Sequence, residues 1–166
     1  LGASGGVARA AARAELVTAN PRSILSLFIS DNPYALPYHL PFVADADQVM
    51  GEVHRVLVAG GRAVLAVTHP VRWAFPDDPG PSGLTATRSY FDRTPYAETD
   101  ASDRVTYVEH HRTVGDWVDL LTTAGLVIDR LVEPEWKSGN DSTWGGWSPL
   151  RGAIIPGTLI LVAHRP

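Results

Sequence analysis

The chain has 166 residues, 45% of them hydrophobic and 19% charged, which is enough apolar matter for one buried core and too much for a disordered segment. Its formal charge of −4 speaks against a general nucleic-acid or anionic-membrane surface, and no apolar run approaches the roughly 20 residues that span a bilayer. With no cysteine, disulfides and thiolate metal sites are excluded, and a reducing, cytoplasmic setting is expected. Leu1 is not methionine and the single methionine is Met50, so a fragment, a processed product or a misread gene start is expected.

Residues 7–17 are alanine-rich behind Ser4 and read as a short helix. Residues 23–30 (SILSLFIS) form a continuous apolar run of strand length, as a strand buried on both faces requires. Pro33, Pro37 and Pro41 keep the following segment irregular. Asp45 and Gln48 then make a capping-box-like start, and Val49, Met50, Val53, Val56 and Leu57 place one apolar stripe on a helix that stops at Gly60-Gly61. Residues 63–67 (AVLAV) are a second buried strand. Strand, helix and strand with short links predict a crossover unit of a parallel sheet.

Residues 71–112 are charged and proline-rich, far longer than an ordinary connection of about 4–6 residues, and predict an insertion acting as a lid. Thr113 and Asp116 open another helix with a stripe of Val114, Trp117, Val118 and Leu121, stopped by Gly125. Residues 126–132 and 158–163 read as two further strands, the last apolar throughout and so interior. The loop between them is rich in glycine and holds Trp136, Trp144 and Trp147. One domain over residues 1–166 accounts for all of it.

Leu40-Pro-Phe-Val-Ala-Asp45, then Glu52-Val-His-Arg-Val-Leu57, then Gly60-Gly-Arg62 and an apolar strand resemble a signature of class I S-adenosylmethionine-dependent methyltransferases, where it follows the fourth strand. His69-Pro-Val-Arg-Trp73 and His110-His-Arg-Thr113, leading into Ala124-Gly125, resemble two segments of a bacterial small-molecule subgroup. The likeness runs over residues 40–164, about three-quarters of the chain. It implies a three-layer α/β, Rossmann-like sheet, mostly parallel with an antiparallel last strand. It also implies S-adenosylmethionine as cofactor and methyl transfer to a small molecule.

The sequence departs from that pattern at its start. No glycine-rich loop follows an apolar strand, and Gly2 stands where the family keeps an acid for the cofactor ribose. A sheet incomplete at its N-terminal edge, weak cofactor binding and self-association through the edge at residues 23–30 are therefore expected. The alternative is a catalytically inactive remnant that serves as a binding or interaction subunit.

Open α/β sheets place ligands outside the carboxyl ends of their strands. After the first strand, the resemblance sets Asn32, Pro33, Tyr34 and Ala35 along the cofactor; a plain surface loop is the other reading. His69 closes the next strand and is the first candidate for a general base, with a backbone-orienting hydrogen bond as the alternative. Arg72 and Trp73 follow it as substrate-binding candidates, although Trp73 could equally pack the insertion onto the sheet. His110 and His111 are the second catalytic candidates; in an extended segment they face opposite ways, so at most one enters a pocket. No carboxylate stands at ligand spacing from them, and no metal is expected. Trp136 is a candidate rim for an apolar substrate, or else part of a hydrophobic plug.

Overall fold

The computed structural model describes residues 40–166. The expected helix at 7–17, the strand at 23–30 and the candidate cofactor residues Gly2, Asn32, Pro33, Tyr34 and Ala35 lie outside the described residues.

A single 3-10 turn, η1 (Leu40–Phe42), leads into helix α1 (Ala46–Val56). The Asp45 side chain accepts from the Gln48 N–H at 3.0 Å, satisfying one of the helix's orphan donors. Ala46, Val49, Met50 and Val53 are buried. Of the expected stripe, Leu57 is half-buried and packs against the same core, whereas Val56, in the last turn, is 37% exposed. The stop is built from both glycines. Gly60 takes φ +75°, and a Cβ on Gly61 would stand 2.7 Å from the Val58 carbonyl oxygen.

Strand β1 (Arg62–Thr68) follows at once. Its apolar run was expected to be buried on both faces, but burial alternates: Ala63, Leu65 and Val67 are buried whereas Val64 is 43% exposed. The described helices explain this. Residues of α1 and of helix α2 (Val114–Thr123) share one core cluster with Ala63, Leu65, Val67, Leu159, Leu161 and Ala163, so they cover one face of the sheet. Each fully buried leucine or valine of this cluster stabilises the fold by about 1.5–3 kcal/mol.

The segment 71–112 begins with η2 (Pro70–Ala74), continues through η3 (Pro81–Leu84) and ends in a hairpin of β2 (Tyr96–Thr99) and β3 (Val105–Glu109). This hairpin is a separate two-stranded sheet. Thr113 and Asp116 then form the complete capping box of α2, whose buried residues are Trp117, Leu120 and Leu121. Gly125, at φ +81°, ends the helix.

The main sheet runs β1-β5-β4, with β4 at Val127–Val132 and β5 at Thr158–His164. Leu65 stands opposite Leu161, and Ile128 opposite Ala163, with a register shift between Ile128 and Arg130. The last strand is interior and antiparallel to both neighbours, as expected. The expected mostly parallel sheet is not what the described residues contain, because β5 separates β1 from β4 and every described pairing is antiparallel. β1 and β4 run in the same direction on either side of it. A short helix, α3 (Pro149–Gly152), precedes β5. Among the described residues no helix is long and apolar enough to cross a membrane.

Candidate functional site

The carboxyl end of β1 delivers the chain straight into η2. Pro70 occupies the first turn, and His69 is its cap in extended geometry, 5% exposed. Nδ1 of His69 accepts from the Val71 N–H at 3.1 Å, which leaves the ring proton on Nε2, donated to Glu133 Oε1 at 2.8 Å. The His69 N–H donates to the Gly157 carbonyl at 3.0 Å. One residue thus joins the end of β1 to the residue after β4 and to the approach to β5. This arrangement corrects the reading of His69 as an open general base. Both ring nitrogens are engaged, so the imidazole has no free lone pair for a substrate proton.

Arg72 points its Nη2 at Glu109 Oε2, 2.7 Å away, and lies 3.6 Å from Asp77. The Tyr107 hydroxyl donates to the same Glu109 oxygen at 3.0 Å. Trp73 is 5% exposed and lies flat on the His111 ring, with centroids 4.8 Å apart and planes inclined by 7°. The Arg88 guanidinium stands 4.8 Å from the Trp73 ring centroid. Trp73 therefore packs the insertion while also lining a pocket.

His111 Nε2 donates to the Tyr90 carbonyl at 2.7 Å, and burial pushes its pKa down, which favours the neutral ring. His110 is half-buried; burial first, then the Arg112 charge, lowers its pKa as well. Strand β3 ends at Glu109, the strict alternation ends with it, and both histidines line one cleft.

That cleft is closed by Pro41, Thr68, His69, Trp73, Arg112 and Trp117, with Arg72 and Glu109 beside them. Its free volume is about 20 Å³, room for a single water-sized group. A wider pocket of about 270 Å³ shares Arg72, Trp73 and Glu109 with it and adds Phe75, Tyr96 and Tyr107. Trp136 is not part of either. Its Nε1 donates to the Asn140 carbonyl at 2.8 Å, and it lines a separate, larger pocket of about 490 Å³ between the 133–140 loop and α3.

Arg112 was quoted in the sequence motif but given no role. Its Nη2 donates to the carbonyls of Val43 and Ala44 at 2.9 and 3.1 Å, and its guanidinium stands 5.5 Å from the Trp117 ring centroid. Burial lowers its pKa, while Asp47, Asp116 and Asp45 act in the opposite sense. Its Nη1 and the Trp73 Nε1 are buried donors without a partner among the described residues. Leaving such a group unsatisfied costs about 1–3 kcal/mol. Glu109 and Glu133 were missed too; Glu109 is the last residue of β3 and Glu133 the first after β4. Among the described residues no group of three or more His, Asp or Glu could hold a metal ion.

No protein-family model matches the sequence, and no curated protein does either. Among solved structures, an S-adenosylmethionine-dependent methyltransferase from Mesorhizobium loti is 24% identical at a TM-score of 0.57, over 78% of this chain and 59% of its own. A protein from Listeria monocytogenes described by the same activity is 23% identical at a TM-score of 0.57, over 80% of this chain and 58% of its own. The chain therefore spans less than two-thirds of the length of either. The likeness shows the fold: α/β, Rossmann-like, of the methyltransferase kind.

Proposed function

We propose that the chain belongs to a class I methyltransferase that moves the methyl group of S-adenosylmethionine to a small molecule, and that residues 40–166 carry the acceptor side. The observation that supports this most is the interior last strand, antiparallel between β1 and β4, with the candidate cleft at the carboxyl end of β1. The two matched structures carry that activity in their descriptions. A formal charge of −4 supports a small-molecule acceptor over a nucleic acid, and the absence of cysteine supports a cytoplasmic setting.

The candidate cofactor residues lie outside the described part, and the cleft of about 20 Å³ at the end of β1 is too small for a nucleoside. The cofactor would supply the reactive methyl group. What the described residues supply is position and dryness, the two needs of an in-line displacement. In one domain over residues 1–166, the insertion 71–112 acts as a lid whose underside is Trp73 stacked on His111. Arg72, fixed by Glu109, and Trp73 form the acceptor wall. His69 is a positioning residue that sets the start of η2 against β4, with His110 the remaining imidazole next to the acceptor.

Incubation with methyl-labelled S-adenosylmethionine at millimolar concentration and a panel of small aromatic acids, phenols and amines tests this reading. Label transferred to at least one acceptor, and reduced by Trp73→Ala, is the expected result. No transfer to any of the panel, from a chain that binds the cofactor, would overturn it.

A further inference from the structure

Glu109 closes β3 with its two carboxylate oxygens in different situations. Oε2 takes the Arg72 Nη2 at 2.7 Å and the Tyr107 hydroxyl at 3.0 Å. Oε1 accepts no hydrogen bond from the described residues, yet it is not one of the enclosed atoms that lack a partner, so it keeps surface open to a ligand. We infer that this oxygen anchors a phenol-binding subsite: it accepts the hydroxyl hydrogen of an uncharged aromatic alcohol whose ring lies in the adjoining pocket of about 270 Å³.

Burial and charge both bear on this. Glu109 is 7% exposed and lines the small cleft at the end of β1 as well as the wider pocket, so the surface left to Oε1 opens where the two meet. A carboxylate oxygen only accepts, so the missing partner is a donor, and an O–H on a carboxylate is among the stronger hydrogen bonds. The other charged groups of the pocket balance: Arg72 and Arg88 stand against Asp77 and Glu98. Asp77 is exposed and lies 3.6 Å from Arg72, and Glu98 receives the Tyr96 hydroxyl. The rest of the wall therefore favours neither a cation nor an anion, and an uncharged donor suits it.

The body of the ligand follows from the walls. Phe75, Tyr96 and Tyr107 present aromatic surface, the two tyrosine rings 6.0 Å apart and inclined by 73°. The Trp73 ring behind them is already covered, by His111 and by the Arg88 guanidinium. A volume of about 270 Å³ falls just below the roughly 300–1,000 Å³ of pockets for larger ligands, which suits a single substituted ring. Assigning this phenol as the methyl acceptor rests on the methyl-transfer reading; the binding itself does not.

Calorimetric titration of the full chain with para-cresol, without cofactor, is expected to show saturable binding. Para-methylanisole has the same ring but no hydroxyl hydrogen, and should bind at least about tenfold more weakly, a change of about 1.4 kcal/mol. In Glu109→Gln the Arg72 and Tyr107 donors hold the amide oxygen, which turns the amide N–H groups toward the ligand. That reversal should make the two affinities nearly equal. No saturable binding of para-cresol, equal affinities for the two compounds in the parent chain, or an undiminished preference in Glu109→Gln overturns the subsite. If Glu109→Gln does not fold, Tyr96→Ala decides, at a position 42% exposed: para-cresol affinity lowered several-fold supports the subsite, and unchanged affinity overturns it. Failure to bind S-adenosylmethionine would sink the methyl-transfer reading alone, because the titration contains none.

Discussion

Replacing Asp116 with asparagine removes one charge where the insertion meets the capping box of α2. The carboxylate receives Arg93 Nε and Nη2 at 3.0 and 2.8 Å, and the Thr113 N–H at 2.8 Å. The Arg93 hydrogen bonds lower its pKa from 3.8 to about 2, against an opposing push from burial and with help from Thr113. A fall of about 1.8 units at about 1.36 kcal/mol per unit corresponds to about 2.4 kcal/mol. The side chain is 30% exposed, and solvent screening reduces that figure to about 1–1.5 kcal/mol. Because the folded pKa lies below the unfolded one, this stabilisation is complete well above 3.8 and is lost as the pH falls through about 2. Urea unfolding should therefore show Asp116→Asn about 1–1.5 kcal/mol less stable than the parent at pH 7, with nearly half of the gap gone by about pH 3. Hydrogen exchange should quicken around Arg93. An equal gap at both pH values would refute the argument from ionisation, and no gap at pH 7 would refute the paired geometry itself.

His69→Ala should lower stability by about 1–2 kcal/mol, because it removes a cap and leaves the N–H of half-buried Val71 without its acceptor. His69→Asn keeps an acceptor near Nδ1 and should recover part of this in a thermal melt; an asparagine variant as stable as the parent but inactive would restore the general-base reading. Leu161→Ala, at a position with no exposed surface, should cost about 2–5 kcal/mol in denaturant unfolding. Gly125→Ala should cost about 1 kcal/mol or more in the same assay, since φ is +81° and the added Cβ would meet the His54 ring at 3.4 Å.

Helix limits were legible because their signals are local. Asp45 with Gln48, and Thr113 with Asp116, name their own hydrogen-bond partners within three residues. The interior place of β5 was legible too, from an apolar run without a break. Pairing direction was not legible from periodicity, and the antiparallel insertion of β5 came only through the resemblance. The alternating burial of β1 depends on which face the described helices cover, a tertiary fact that Val64 cannot announce. Within the site, His69 was placed rightly at the end of its strand, but its duty is set by Glu133, 64 residues away. His110 and His111 were assigned opposite faces on the assumption of a strand that stops one residue earlier, at Glu109. Arg112 was in plain view in its motif, but the Val43 and Ala44 carbonyls that hold its guanidinium lie 69 and 68 residues away.

Calorimetric titration of the chain with S-adenosylmethionine tests the central claim most directly. No glycine-rich loop follows an apolar strand in this sequence, and the described cleft admits no nucleoside, so binding should be weak but real. The expected dissociation constant lies above about 10 μM, less than about 7 kcal/mol of binding, with saturation reached by about 1 mM. No saturable heat at that concentration would contradict the assignment of this chain to S-adenosylmethionine-dependent methyl transfer.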